Sequence, residues 1–308
     1  MKLIVQPDAG IAPVVSAIKQ ARKSINILIF RLDRAEIAHA LEAAVARGVR
    51  VRALTAHANR GGTKSLRKLE MELLAAGVTV SRTADDLVRY HGKMMIVDNK
   101  VLHVYGFNFT GLDMLKSRSF GIITKNDRLV NESTKLFMAD FDRLPYTPGY
   151  ERFVVSPENA RDRLSRFISG ARRQLLIYDP QVSDDAMLRL ITERIKAGVD
   201  VRVIGKVSKK GESLNAEKMP GMRLHLRAIL RDGQEMFVGS MSLRGLELDR
   251  RREVGIILKD RTAARQFKEL FEEDWAKTES AKKAQEEKEK EKALDEKKEE
   301  KAAAAAAS

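Results

Sequence analysis

The sequence contains no cysteine. That absence excludes disulfides, thiolate nucleophiles and cysteine-based zinc sites, and it suits a reducing compartment. Aromatic residues are sparse, with one Trp and five Tyr. No stretch offers the stacking platform of a dedicated single-strand nucleic-acid binder. Long apolar runs are missing too. The opening MKLIVQPDAG is broken at Gln6, Pro7 and Asp8, short of the ~7–15 apolar residues of a secretory signal. No window approaches the ~20 apolar residues of a spanning helix. The expectation is a cytoplasmic protein that touches a membrane at most peripherally.

Positive charge, by contrast, is abundant: the formal net charge is +14. From Ser280 onward lysines and carboxylates are equal in number, so the whole excess belongs to residues 1–279. Such an excess either serves solubility alone or favours anionic partners, namely phospholipid headgroups, nucleic acid or another phosphate ester. The 308 residues, 44% of them hydrophobic, suffice for two ordinary domains or one with internal symmetry.

Internal repetition is visible. An apolar run at 25–30 is followed by a helical periodicity over 35–47, a stop at Gly48, and an alternating strand at 49–54. The same order recurs as a strand at 174–178, a helix over 184–197, Gly198, and a strand at 199–204. Strand, crossover helix and strand at this length predict a parallel pair in each copy. The first copy continues with an amphipathic helix at 64–76 and a strand at 78–80, whereas the second is expected to shorten this region to a loop near 209–220. YTPGY at 146–150 supplies breakers between the halves. From about Ala276 the Lys/Glu/Ala-rich composition predicts a solvated helix or a disordered extension.

Two of the five histidines occupy matching frames. His91-Gly92-Lys93 is followed by Asp98 and Asn108; His225-Leu226-Arg227 is followed by Asp232, Ser240 and Ser242. Each frame passes through a strand, a tight turn and a returning strand. Residues two apart on extended backbone share a face, so His91 and Lys93 aim an imidazole and an ammonium at one target. Asp98 and Asp232, at strand ends before turns, are expected to cap backbone amides. His39, His57 and His103 lack such partners and read as structural or surface residues. Arg250-Arg251-Arg252 reads either as an anion-attracting patch or as an exposed charge run.

HGKMMIVDNKVLHVYGFN (91–108) and HLRAILRDGQEMFVGSMS (225–242) together resemble the phospholipase D superfamily, whose His-x-Lys-x4-Asp pattern ends in a Gly-Ser/Gly-x-Asn turn. The resemblance implies an α/β fold of two similar halves, each a mixed β-sheet flanked by helices, with one active site at their interface. The halves are placed at 1–147 and 148–275, followed by the charged tail at 276–308. It further implies that His91 attacks phosphorus to form a phosphohistidine and that His225 protonates the leaving alcohol. Lys93 and Asn108 would then hold the non-bridging oxygens. Neither cofactor nor metal is implied, and no HExxH or carboxylate cluster calls for one.

The second copy departs from the pattern: Arg227 stands for lysine and Ser242 for asparagine. In the first copy Tyr105 replaces a glycine. The family's acidic residue after the motif, which bonds its histidine, is matched by Glu253, placed to hold His225; the equivalent position after His91 is Ser119. The pooled set implies a phospholipid phosphodiesterase or phosphatidyltransferase, for which a monomer suffices. The alternatives are a nuclease of the same superfamily and a weakened protein that binds phosphate esters.

Overall fold

A computed structural model describes residues 1–57, 64–211, 213–280 and 282–283. The tail expected over 276–308 therefore lies, beyond Lys283, outside the described residues.

The first half runs β1 (Lys2–Gln6), α1 (Ala12–Gln20), β2 (Ser24–Ile29), α2 (Ala35–Ala46), β3 (Arg50–Thr55), α3 (Lys64–Ala75) and β4 (Thr79–Arg82). It continues through β5 (Arg89–Tyr90), β6 (Met94–Val97), β7 (Val101–Tyr105), α4 (Gly111–Leu115), β8 (Ser117–Thr124) and α5 (Asp127–Asp142). The second half repeats this order: β9 (Phe153–Ser156), α6 (Ala160–Ser169), β10 (Gln174–Val182), α7 (Asp185–Lys196), β11 (Asp200–Val207) and β12 (Ala216–Glu217). Then come β13 (Arg223–Leu224), β14 (Arg227–Arg231), β15 (Glu235–Gly239), α8 (Gly245–Asp249), β16 (Arg251–Lys259) and α9 (Arg261–Ala276).

The repeated strand–helix–strand units are parallel pairs. Ser24 stands opposite Arg50, and Gln174 opposite Asp200. The glycine after each crossover helix takes a left-handed φ, +82° at Gly48 and +81° at Gly198, a conformation that a side chain disfavours. The second half does not simply shorten to a loop after β11: its short β12 pairs parallel to β11, as β4 does to β3.

Each half contributes most of one eight-stranded mixed sheet. Two short strands are exchanged. β5 pairs with β16 in the second half's sheet, and β13 pairs with β8 in the first half's sheet. The outer faces bury residues of α1 and α2 in one half (Val14, Ile18, Ile37, Leu41) and of α6 and α7 in the other (Leu164, Phe167, Leu188, Ile191). The inner faces share one core, to which α5 and α9 also contribute. Within it Phe120 meets Tyr178 and Phe267 with ring centroids 5.8 and 5.4 Å apart. The halves are thus joined through a continuous apolar core.

Candidate active site

Each motif histidine stands where the chain leaves one sheet and enters the other. β5 ends at Tyr90 on the second sheet, and β6 begins at Met94 on the first; His91, Gly92 and Lys93 make the crossing. β13 ends at Leu224 on the first sheet and β14 begins at Arg227 on the second, with His225 between. The backbone amide of His91 donates to the Arg252 carbonyl at 2.7 Å, and that of His225 to the Arg118 carbonyl at 3.0 Å. The returning strands β7 and β15 also meet: a Cβ on Gly106 would lie only 3.2 Å from the Gly239 carbonyl oxygen.

Both histidines are largely buried, at 8% and 7% exposure. Glu253, fully buried on β16, sets its carboxylate oxygens 3.0 and 2.9 Å from His91 Nδ1. Lys93 Nζ donates to the His91 carbonyl at 2.6 Å and lies 2.8 Å from His91 Nε2. Lys93 Nζ is 3.0 Å from Nδ1 as well and does not distinguish the ring nitrogens, whereas the Glu253 carboxylate at Nδ1 suits a neutral ring with its proton there and its lone pair on Nε2. The edge of the ring faces Phe30, centroids 4.6 Å apart.

Glu253 therefore partners His91 and not His225, correcting the sequence expectation. The cause is strand exchange: β5 lies beside the start of β16, which brings Glu253 to the histidine that follows β5. At the equivalent place Ser119 donates its hydroxyl to the His225 carbonyl at 2.9 Å. The carboxylate near His225 is Asp113, with Oδ2 3.5 Å from His225 Nδ1. The same oxygen accepts from Asn108, through the backbone amide at 2.9 Å and the side-chain amide at 2.7 Å.

Asp113 was missed in the sequence, as was Glu247, which accepts from the Ser242 amide at 2.6 Å and from Arg251 at 3.0 Å. The signal was present. GLD at 111–113 and GLE at 245–247 begin matching short helices, with the acid in the first turn of each. Such a carboxylate reaches back to preceding amides.

Arg227 Nε donates to Ser242 Oγ at 3.2 Å, and its Nη1 has no hydrogen-bond partner among the described residues. Burial is the largest influence on both imidazoles and holds them well below the ordinary histidine range. Lys93 and then Arg227 reinforce this at His91, and Arg227 and then Lys93 at His225, where Asp113 opposes it. Each cation thus acts on both rings, as one shared centre requires. Burial brings Lys93 itself down to about 7, against the pull of Glu253. Glu253 is pushed up by burial. Ser240 Oγ accepts from the Val254 amide at 3.1 Å, tying β16 to β15 beside Glu253.

Asp98 and Asp232 work away from this centre. Asp98 Oδ1 accepts from the Lys23 and Ser24 amides at 2.6 and 2.9 Å. Asp232 Oδ1 accepts from Arg173 and Gln174 at 2.7 and 3.0 Å. Both sit in hairpin turns with positive φ at two successive residues, the geometry that matches strand twist. Arg251 and Arg252 are neither an exposed run nor a surface patch. They are buried, paired with Glu247 and with Asp140 and Glu158 respectively.

A groove of about 420 Å³ reaches Arg227 and Ser242 from the second half, walled by Pro180, Met219, Met222 and Leu224 and by Lys206, Lys218 and Arg244. A larger cavity of about 940 Å³ beside β1 and α1 contains none of these residues. On its wall buried His103 is brought down to about 4 by burial alone. Among the described residues no helix is long and apolar enough to cross a membrane.

A family model described as cardiolipin synthase, PLD-like domain, matches residues 14–143 and 164–275. Mitochondrial cardiolipin hydrolase from Homo sapiens is 28% identical over 138 residues, which is 44% of this chain and 51% of that protein. Its Mus musculus counterpart is also 28% identical over 138 residues, covering 44% and 58%. The chain thus spans just over half the length of these curated relatives. Polyphosphate kinase from Porphyromonas gingivalis superposes with a TM-score of 0.74 at 18% identity, covering 88% of this chain and 46% of that one. Phosphatidylserine synthase from Haemophilus influenzae does so with a TM-score of 0.64 at 10% identity, covering 88% and 85%. Those two likenesses speak to the fold alone. With both halves matched by the family model and both histidines at the crossing between sheets, the chain belongs to the phospholipase D superfamily, in the family of the cardiolipin synthase PLD-like domain.

Proposed function

We propose that the chain is a phosphodiester hydrolase or transferase that acts on a phospholipid through a phosphohistidine. The observation that carries this reading is the reciprocal arrangement of the histidines: His91 is paired with Glu253 of the second half, and His225 faces Asp113 of the first.

In this reaction the His91 Nε2 lone pair attacks phosphorus while Glu253 accepts the Nδ1 hydrogen bond and stabilises the positive ring. The bond from phosphorus to the leaving alcohol breaks, and His225 delivers a proton to that oxygen. Both rings are held neutral near pH 7 in the protein alone, so His225 must gain its proton when substrate arrives. An anionic phosphodiester supplies the reason, because its charge offsets the field of Lys93 and Arg227, which adds to burial in keeping the ring neutral, so that the ring can take a proton from solvent. Water or a second alcohol then attacks the phosphohistidine, with neutral His225 as its base. Lys93, Arg227, Asn108 and Ser242 donate to the non-bridging oxygens, where charge builds in the transition state.

The groove beside Arg227 favours a lipid. Its methionine, leucine and proline wall offers apolar surface, and Lys206, Lys218 and Arg244 offer cations, a pairing that suits an amphiphilic anion. The curated relative at 28% identity, mitochondrial cardiolipin hydrolase, is by its name a lipid-cleaving protein, which favours the same reading.

The test is to supply phosphatidylglycerol, phosphatidylcholine and a nucleic-acid panel and to trap the phosphorylated residue by rapid acid-free quench and mass spectrometry. A phosphatidyl adduct on His91, the second ester bond still intact, with turnover lost in both His91→Ala and His225→Ala, is expected. Cleavage of nucleic acid alone would reassign the substrate. Binding without turnover by the wild type would leave a phosphate-ester-binding protein.

A further inference from the structure

The reaction needs two imidazoles, on different halves, held at a fixed separation around one phosphorus. The carboxylates and cations orient the rings, but something must also fix the backbones that carry them. Two buried arginines do this by the same device, one on each side.

Arg252, at 5% exposure, accepts through its carbonyl oxygen from the amides of His91 at 2.7 Å and Gly92 at 3.0 Å. Its guanidinium reaches into the first half, where Asp140 of α5 lies 3.1 Å away. The same group donates to the Ser156 carbonyl at 3.1 Å, pairs with Glu158, and lies over the Tyr90 ring at 5.5 Å. Its neighbour along β16 is Glu253. Arg118, at 6% exposure, accepts through its carbonyl oxygen from the His225 amide at 3.0 Å. Its guanidinium grips Asp274 of α9 with two bonds, 3.0 and 3.1 Å, and Tyr178 donates to the same carboxylate at 2.7 Å. Its neighbour along β8 is Ser119, which holds the His225 carbonyl.

We propose that Arg118 and Arg252 are positioning residues, each fixed by a buried aspartate from the opposite half so that its carbonyl sets the backbone of that half's histidine. The link runs out and back: Asp140 and His91 both belong to the first half and are joined through Arg252 of the second. Asp274 and His225 both belong to the second and are joined through Arg118 of the first. The halves cannot slide without breaking both grips, and a guanidinium held by two or more acceptors is rigid where a lysine would swivel. An isolated buried ion pair adds little net stability, so registry is the use that geometry leaves for these pairs.

This inference rests on the reaction proposed above, but its test has one arm that does not. Asp140→Asn and Asp274→Asn are made alongside Ile18→Ala, a core truncation on the outer face that serves as a destabilised control. Amide hydrogen exchange should accelerate at least ~10-fold at His91 and Gly92 in Asp140→Asn, and at His225 in Asp274→Asn, each beyond the control and each without the other. On substrate, kcat should fall ~10- to 100-fold, the scale of a misplaced reacting group, with KM within about threefold. Arg118→Lys and Arg252→Lys keep the charge and the carbonyl but lose the forked grip; they carry the same expectations if an Asn variant does not fold. Exchange at the histidine amides no faster than in the control, or loss shared equally by both histidines in each variant, would overturn the proposal. A wild type without turnover defeats the reaction and leaves the exchange result to decide the clamps.

Discussion

Glu253 supports the histidine of the other half: its carboxylate sits 2.9 Å from His91 Nδ1 although 28 residues of sequence separate it from His225. In the proposed reaction a carboxylate there fixes the tautomer and would stabilise the ring as it becomes cationic. Glu253→Gln preserves shape and removes the charge. It should lower kcat by ~10²-fold or more and slow appearance of the phosphohistidine, read by rapid quench. The rate with His225→Ala already in place should drop by a similar factor, since the carboxylate serves the other ring.

A protonated His225 matters in proportion to the basicity of the leaving oxygen. His225→Ala should lose ~10²–10⁴-fold on an ester with an alkyl leaving group. It should lose far less on bis(p-nitrophenyl) phosphate, whose leaving group departs without a proton. Comparable loss on both substrates would remove His225 from the role of acid.

Lys93 should set an alkaline limit to the proposed reaction. With its pKa brought down to about 7 by burial, the ammonium of the free enzyme discharges just above neutrality. The value of kcat/KM, which reports free-enzyme ionisations, should then decline above about pH 7. Lys93→Arg keeps its charge throughout this range and should abolish that decline, whatever its effect on the plateau. A pH profile with the same alkaline limb in the variant would assign the ionisation elsewhere.

The histidines should leave a mark on stability as well. Folded His91 and His225 have pKa values well below the ordinary 6.5. As pH falls past 6.5 the unfolded chain therefore binds protons first. Their contribution is fully present above 6.5 and drains away as pH drops toward the folded values, by at most ~1.4 kcal/mol per pH unit for each ring. Asp140 and Asp179, raised to about 6 by burial, act in the opposite sense: their contribution is complete below ordinary aspartate values and lost as pH rises through about 6. Subtraction separates the two. Urea midpoints of the His91→Ala, His225→Ala double variant should fall less steeply between pH 7 and 5 than those of the wild type.

Arg227 and Ser242 hold each other at 3.2 Å in the places where the first half has Lys93 and Asn108. Arg227→Lys with Ser242→Asn gives the second half the first half's pair. The double variant should raise kcat several-fold, measured on the substrate that the wild type turns over. No gain would mean that the arginine and serine are adapted to this chain's own substrate.

Much of this architecture can be read in the chain before folding. The strand–helix–strand repeat and both histidine frames are local patterns, and local periodicity is what sequence displays best. β5 and β13 are two residues long and have no period to display. With them were hidden the exchange of strands and the true partner of Glu253. Arg251 and Arg252 looked like surface charge because their counter-ions, Glu247, Asp140 and Glu158, come partly from remote chain. Asp113 and Glu247 are legible as a repeated GLD/GLE, but the groups they bond, on Asn108 and Ser242, stand five residues earlier and are brought to them only by the turn between.

Strand exchange also bears on how such a chain can diverge. Because β5 and β13 each complete the other half's sheet, a severed half would carry a histidine stripped of its backbone support and a gap at a sheet edge. Physical tethering in one polypeptide guarantees that each half always meets its own unlike sibling. Under that guarantee identical motifs are no longer required: one lobe can keep lysine and asparagine, the other a carboxylate, and selection can tune the two independently.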